Sequence, residues 1–163
     1  MKIKSKKTYL AVIILIIIDQ VIKIIINNNF FDKRFCILPH LLYFEPMFNR
    51  QYSWINSMLE LGIGKYVHIS LVVIIIILIY LFYKYLNEQF GNKKIINIMY
   101  AFIFSGAMCS LIDKIFWNGS LDYILVNGHF TFDLKDVYIN IFNCLLILVL
   151  LLKNKVLKQI DYR

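Results

Sequence analysis

The sequence predicts an all-α membrane protein: four transmembrane helices with both termini cytoplasmic, plus a short β-rich or amphipathic extracytoplasmic segment between spans one and two. Three observations predict it. Of 163 residues, 60% are hydrophobic, against roughly 45–50% in an ordinary soluble domain. The apolar residues gather into four runs, each about long enough to cross roughly 30 Å of hydrocarbon at about 1.5 Å per residue. The charge is also sorted along the chain. If the termini and the loop from Lys84 to Lys94 face the cytoplasm, that side holds Lys2, Lys4, Lys6, Lys7, Lys84, Lys93, Lys94, Lys153, Lys155, Lys158 and Arg163. Those are eleven of the eighteen bases, facing only Glu88 and Asp161 of the ten acids. This is the positive-inside asymmetry, and basic flanks of this kind also meet anionic lipid headgroups. The net charge of +8 therefore reads as topology and not as a nucleic-acid footprint. Residues 1–163 form one membrane domain.

The first span is residues 8–26, mostly Ile, Leu and Val after a basic start. It is long for a signal peptide and no small-residue cleavage site follows, so it reads as retained. Asp19 and Lys23 lie four apart on one helical face and can pair, with Lys23 near enough to the outer end to snorkel. Residues 27–65 contain Pro39, Pro46 and many aromatics but no span. The stretch Ile37 to Phe48 reads as short strands or an amphipathic patch at the outer interface, with Phe44, Phe48, Tyr52 and Trp54 suited to an aromatic belt. The second span, residues 66–85, carries His68 near its outer end, where an interfacial hydrogen bond is the plain explanation. A polar loop from Leu86 to Lys94 turns the chain back.

The third span, residues 95–112, contains Ser105, Gly106, Ala107, Cys109 and Ser110, small enough for another helix to approach closely. Residues 113–135 form an outer loop, and the last span is residues 136–152. Four of the ten acids, Asp113, Asp122, Asp133 and Asp136, fall between the third and fourth apolar runs. A carboxylate at the centre of a membrane helix costs roughly 2.5 to 3.5 kcal/mol, so acids crowded at span ends need a reason. Helix dipoles explain those in a first turn. A stabilising cluster with Lys114 and Lys135 is one further account, and chemistry is the other. Two aspartates that converge share one proton, one acting as base toward water and the other as acid toward the leaving amine. Asp122 and Asp136, fourteen residues apart at one membrane face, are the candidates.

Cys36, Cys109 and Cys144 have no metal-like spacing and read as small buried hydrophobes, with no partner for a bridge from Cys36. His40, His68 and His129 are scattered. No glycine-rich phosphate loop, zinc spacing or serine nucleophile motif occurs.

Motif order then adds to this reading. Asp19-Gln20-Val21-Ile22-Lys23 resembles the D-Q-x-x-K of the lipoprotein signal peptidases, bacterial signal peptidase II, a family of aspartic peptidases. Asn49 stands where that family has N-x-G-x-x-F. The run from Ser105 to Lys114 is similar to its G-G-A-x-G-N-x-x-D-R, Leu121-Asp122-Tyr123-Ile124 to its V-V-D-F-I, and Phe132-Asp133-Leu134-Lys135-Asp136 to its F-N-x-A-D. The likeness covers essentially the whole chain. It departs at Ser105, Cys109 and Ser110 for Gly, Gly and Asn, at Lys114 for Arg, at Gln51 for Gly, and at Asp133 and Lys135 for Asn and Ala. Lysine lacks the bidentate fork of arginine, and Asp133 adds a third carboxylate beside the pair, which Lys135 can offset.

The resemblance implies an intramembrane aspartic endopeptidase that removes the signal peptide from diacylglyceryl-modified prolipoproteins, cutting before the lipidated cysteine. It implies a multi-pass protein of the bacterial cytoplasmic membrane with its active site at the extracytoplasmic face. Asp122 and Asp136 would be the catalytic acid and base and Asp113 a structural acid. Asp19, Lys23, Asn49, Gly106, Ser110, Lys114 and Asp133 would bind substrate or support the site. No cofactor or metal, no nucleic acid and no obligate protein partner is implied. The alternative is a non-catalytic relative that binds lipidated peptides or partner membrane helices. A small transporter would hold its acids near mid-bilayer, whereas these sit mostly at span ends.

Overall fold

A computed structural model describes the backbone of residues 2–90 and 94–161, and the side chains of these except residues 2–5, Trp54, Phe90 and residues 152–161. Of the loop expected over Leu86 to Lys94, Leu86 to Phe90 continue one helix and Lys94 opens the next; residues 91–93, the side chains of Lys2, Lys4, Lys153, Lys155, Lys158 and Arg163, and the expected belt position of the Trp54 side chain lie outside the described residues.

Four long helices carry the fold. Helix α1 (Lys2–Ile25) runs into a widened π-type turn at Ile26–Phe30, α3 is Lys65–Phe90, α4 (Lys94–Ile112) ends in a similar turn at Asp113–Trp117, and α5 is Leu134–Asp161; a short α2 covers Trp54–Met58. The four stretches Lys6–Phe30, Lys65–Gln89, Lys94–Trp117 and Leu134–Leu151 are long and apolar enough to cross a membrane. They overlap all four expected spans. Their outward faces stay apolar, with Ile13 and Ile17 on α1 and Leu71, Ile74 and Leu78 on α3 exposed, as in a helix solvated by lipid. Helix α4 is central, packing against α1, α3 and α5.

Small residues make that possible. A methyl group on Gly106 would stand 2.8 Å from Ile139 Cγ1 and 3.2 Å from the Lys135 carbonyl, so α5 begins hard against α4. On the other side of α4, Ser105 Oγ donates to the carbonyls of Ala101 at 2.6 Å and Val12 at 3.4 Å. Tyr138 on α5 reaches the Leu15 carbonyl of α1 at 3.1 Å.

At one end of the bundle lies an antiparallel sheet in the order β1 (Phe35–Leu38), β2 (Leu42–Asn49), β3 (Ser120–Val126) and β4 (Phe130–Phe132). The expected β-rich character of residues 37–48 holds, but it supplies only half of the sheet. Residues 113–135, expected as a loop, contribute β3 and β4. The reason is pairing at long range: β2 leaves an open edge, and β3 satisfies it with Met47 opposite Asp122 and Asn49 opposite Ser120. Pro46, which has no N–H to give, sits where the β2–β3 register slips between Phe44 and Met47. The β1–β2 turn has Pro39 second and His40 third with φ of 61°, closed by the Leu41 N–H on the Leu38 carbonyl at 3.1 Å, a geometry close to a type II turn.

Two apolar clusters flank the middle of the bundle. One is Val12, Tyr83, Tyr100 and Ala101; the other, beneath the sheet, is Ile26, Leu121 and Tyr123 with Phe44, Phe48, Trp117 and Leu134 against it. Phe44 and Phe48 thus turn into packing and do not stand free in an aromatic belt. Along α1, Asp19 and Lys23 fall between Val12 and Ile26, so their polar groups meet in a layer between the clusters. Cys109 is buried, but Cys36 and Cys144 are exposed, and all three are free thiols. The expectation of buried hydrophobes therefore fails for two of them: Cys36 is on the outer strand β1, and Cys144 lines a groove of about 700 Å³ along α5.

Candidate active site

Five aspartates and two lysines from four chain segments form the polar layer. Lys23 is fully buried, and its Nζ lies 3.1 Å from Asp19 Oδ2, 2.6 Å from Asp113 Oδ2 and 2.7 Å from Asp133 Oδ2. The expected Asp19–Lys23 pair is present. Lys23 does not snorkel outward, however, because three carboxylates hold it inside. Lys135, with its side chain 8% exposed, is the second cation: its Nζ is 2.6 Å from Asp133, 3.4 Å from Asp113, 3.5 Å from Asp122 and 3.9 Å from Asp136.

The start of α5 explains how Asp133 and Asp136 are aimed. The Asp136 N–H donates to Asp133 Oδ1 at 3.3 Å, and the Asp133 N–H donates to Asp136 Oδ2 at 3.2 Å. This is a reciprocal capping box with acids at both positions, favoured by the positive end of the helix dipole. Asp122 comes from β3, where residues alternate between faces, so Ser120 shares its face. Ser120 Oγ donates to Asp122 Oδ1 at 2.6 Å and accepts from Lys135 Nζ at 2.6 Å. One oxygen from each of Asp122, Asp133 and Asp136 lies within 4.8 Å of the other two. That spacing suits a bridging cation, and the Lys135 ammonium group reaches all three.

The acids differ in setting. Asp133 is buried, which opposes its ionisation, yet Lys135 and Lys23 outweigh that and hold its carboxyl well below the usual range. Burial pushes the Asp122 carboxyl up, with Lys135 drawing it partly back and Asp133 adding to the rise. The Asp136 side chain is 38% exposed and the Asp122 side chain 6%. Both face a cleft of about 1030 Å³ whose lining includes Asn49, Ser110, Lys114 and Lys135.

The remaining sequence-derived positions divide. Ser110 and Lys114 line the cleft, with Lys114 Nζ donating to Ser110 Oγ at 2.8 Å and lying outside the carboxylate cluster it was expected to join. Asn49 caps the backbone of Gln51 at 3.0 Å. Gly106 acts from behind, through the closeness of α4 and α5. Asp113 pairs with Lys23 beneath the cleft. His68 is a hydrogen-bonder as expected: with Nδ1 on the Gly64 carbonyl at 3.1 Å, its Nε2 accepts from Ser53 Oγ at 3.2 Å.

Two polar residues of the layer were not among the candidate site residues, although Gln20 stands in the D-Q-x-x-K match. Gln20 Nε2 donates to Asp19 at 3.0 Å and Asp113 at 3.3 Å while its Oε1 accepts from Trp117 Nε1 at 3.1 Å. Its place between Asp19 and Lys23 was the available signal. Ser120 was detectable only through the strand alternation with Asp122, which required recognising β3.

Four apolar helices that close around buried acids and lysines, with a cleft at the sheet-bearing end, define a multi-pass membrane protein with a polar site at the edge of its spans. The family profile of signal peptidase (SPase) II matches residues 11–152, and the chain belongs to that family. The lipoprotein signal peptidases of Listeria monocytogenes serotype 4a (strain HCC23) and Listeria innocua serovar 6a are each 28% identical to it over 131 residues, 79% of this chain and 80% of theirs. Among solved structures, a bacterial membrane enzyme at 2.3 Å is 23% identical, covers 91% of this chain and 90% of its own, and superposes with a TM-score of 0.71. Another, at 1.9 Å, is 25% identical, with 90% and 93% covered and a TM-score of 0.69. The family processes lipoprotein signal peptides as proteases, and its members are membrane proteins of bacteria.

Proposed function

We propose that this chain is an aspartic endopeptidase that cuts diacylglyceryl-modified prolipoproteins immediately before the lipidated cysteine. One observation carries the reading: Asp122 from β3 and Asp136 from the first turn of α5 bring carboxylate oxygens within 4.8 Å of each other at the wall of an open cleft. Carboxylates this close share a proton. The ionised partner takes a proton from water as it attacks the scissile carbonyl, while the protonated partner gives its proton to the carbonyl oxygen; as the tetrahedral diol collapses and the C–N bond breaks, the proton taken from water passes to the leaving amine and the diol's proton returns to the second aspartate. Asn49, Ser110 and Lys114 offer amide, hydroxyl and ammonium groups to the substrate backbone. Asp19, Lys23 and Asp113 hold the floor. Asp133 orders the first turn of α5.

The chain acts as one membrane domain. Both termini lie in the cytoplasm, segments 27–65 and 113–135 are extracytoplasmic, and the cleft opens at the outer face of the cytoplasmic membrane. The sorting of the lysines supports this orientation. The second reading, a non-catalytic relative that binds lipidated peptides or partner spans, draws on the same Lys135: a cation among the acids is what a purely stabilising cluster needs.

Cleavage of a diacylglyceryl-modified prolipoprotein by the detergent-purified protein, followed as a gel shift, separates them. The wild type cuts, and Asp122→Asn and Asp136→Asn each lose at least about 100-fold in rate, the low end for a general acid or base, while remaining folded. A folded wild type that cuts none of several lipidated substrates, or variants that cut normally, overturns the proposal.

A further inference from the structure

We propose that Lys135 is a positioning residue of the dyad, its ammonium group standing between the Asp122 and Asp136 carboxylates at 3.5 and 3.9 Å and governing how they share a proton. This rests on the reading of those two acids as the catalytic pair. Lys135 Nζ is anchored by two short bonds, each 2.6 Å, to Ser120 Oγ and Asp133 Oδ2. An ammonium group has three protons, and the third faces Asp113 Oδ2 at 3.4 Å together with the Asp122 and Asp136 oxygens at 3.5 and 3.9 Å. Its anchors belong to the dyad's own segments: Ser120 is two residues from Asp122 on β3, and Asp133 caps the turn that bears Asp136. Nζ therefore joins the strand to the helix at the level of the reacting groups.

Asp133 is not served by Lys135 alone, since Lys23 from α1 also lies 2.7 Å from the same Oδ2. Lys114, the other buried lysine near the cleft, is bonded to Ser110. Lys135 is thus the cation that reaches both members of the dyad among the described residues. The charged groups that act on Asp122 are Lys23 on α1, Lys114 on the α4 side, and Asp133 and Lys135 around the start of α5, with Asp136 beyond Lys135. Of these, Lys135 most strongly favours the ionised form. Without it the dyad binds protons more tightly, and both limbs of the pH–rate profile move to higher pH. Loss of Asp133 acts in the opposite direction, because its charge adds to the rise at Asp122.

The test is the pH profile of kcat for prolipoprotein cleavage by wild type, Lys135→Met and the double variant Asp133→Asn with Lys135→Ala. The single change moves the profile alkaline by about one pH unit or more, the usual effect of one opposite charge within 4–6 Å, and the double variant returns most of the way. The double variant also removes the buried pair entirely, so it folds where the single change leaves Asp133 short of a cation. A second readout does not need turnover: the infrared carbonyl band of protonated Asp122, identified by its loss in Asp122→Asn, persists to higher pH in Lys135→Met. If wild type cuts and neither the profile nor the band moves, Lys135 is a structural counter-ion and the inference falls while the dyad stands. If wild type does not cut, the proposed function fails, and the band still decides whether Lys135 governs Asp122.

Discussion

Lys23 and Asp122 show how the same polar layer holds one group for stability and another at a cost. Lys23 meets three carboxylates with no solvent access, and removing one member of a buried ion pair costs about 3–5 kcal/mol because its partners stay charged and dry. Lys23→Met is expected to lose stability of that size in a detergent melt, whether or not the protein is an enzyme. Asp122 and Asp133 separate with pH. Asp133, depressed in the fold, contributes stability that is complete above the unfolded carboxyl value of about 3.9 and is lost as pH falls through its lower folded value. Asp122, raised in the fold, contributes stability below about pH 3.9 that is lost as pH rises through its higher folded value. Asp133→Asn should therefore lower Tm more at pH 7 than at pH 2. Asp122→Asn should gain in Tm relative to wild type over the same rise, because it removes a group whose ionisation the fold opposes. Melts at the two pH values check both. A parallel response of the two variants would mean that Asp122 is one more structural acid.

At the level of elements, two glycines decide whether the site can assemble. Gly119 has φ of 149°, and a methyl group there would meet the Asn49 carbonyl oxygen at 2.6 Å. It is the residue that lets α4's last turn hand the chain to β3 beside β2. Gly119→Ala is expected to cost about 1–3 kcal/mol, seen as a lowered Tm. Gly106→Ala tests the opposite wall. Its methyl group pushes on Ile139 and the Lys135 backbone, so it should displace the first turn of α5 and lower the cleavage rate by more than its Tm loss accounts for. The four helices were legible in the sequence because each rests on a long local run of predominantly apolar residues. The strand character of Ile37 to Phe48 was legible, as one of two readings, from its short β-prone and aromatic stretches. Strands β3 and β4 were not: Leu121 to Val126 reads as a loop until β2 is known to leave an edge for it, and that partner lies two spans away. The Asn127-Gly128 turn between them was the local clue, and Gly128 does take φ of 74°.

For the whole molecule, the motif order made the acid cluster legible while its internal pairing was not. Asp122, Asp133 and Asp136 could be placed at one membrane face by counting spans, but nothing along the chain says that Lys23 turns inward or that Lys135, not Lys114, meets the carboxylates. Those choices depend on how closely α1, α4 and α5 approach. The proposed orientation rests on something else again, the sorting of the lysines along the chain, and it has a direct test in Cys36. That thiol is exposed on β1, at the sheet-bearing end of the bundle, whereas Cys109 is buried and Cys144 is on α5. A membrane-impermeant maleimide added to intact spheroplasts should label the wild type, and the labelling should vanish in Cys36→Ser. Labelling of Cys36 only after lysis would turn the molecule over and put the cleft in the cytoplasm. A substrate whose lipidated cysteine is exported could not then reach Asp122 and Asp136, so the sidedness of one strand thiol bears on the proposed reaction as directly as the acids do.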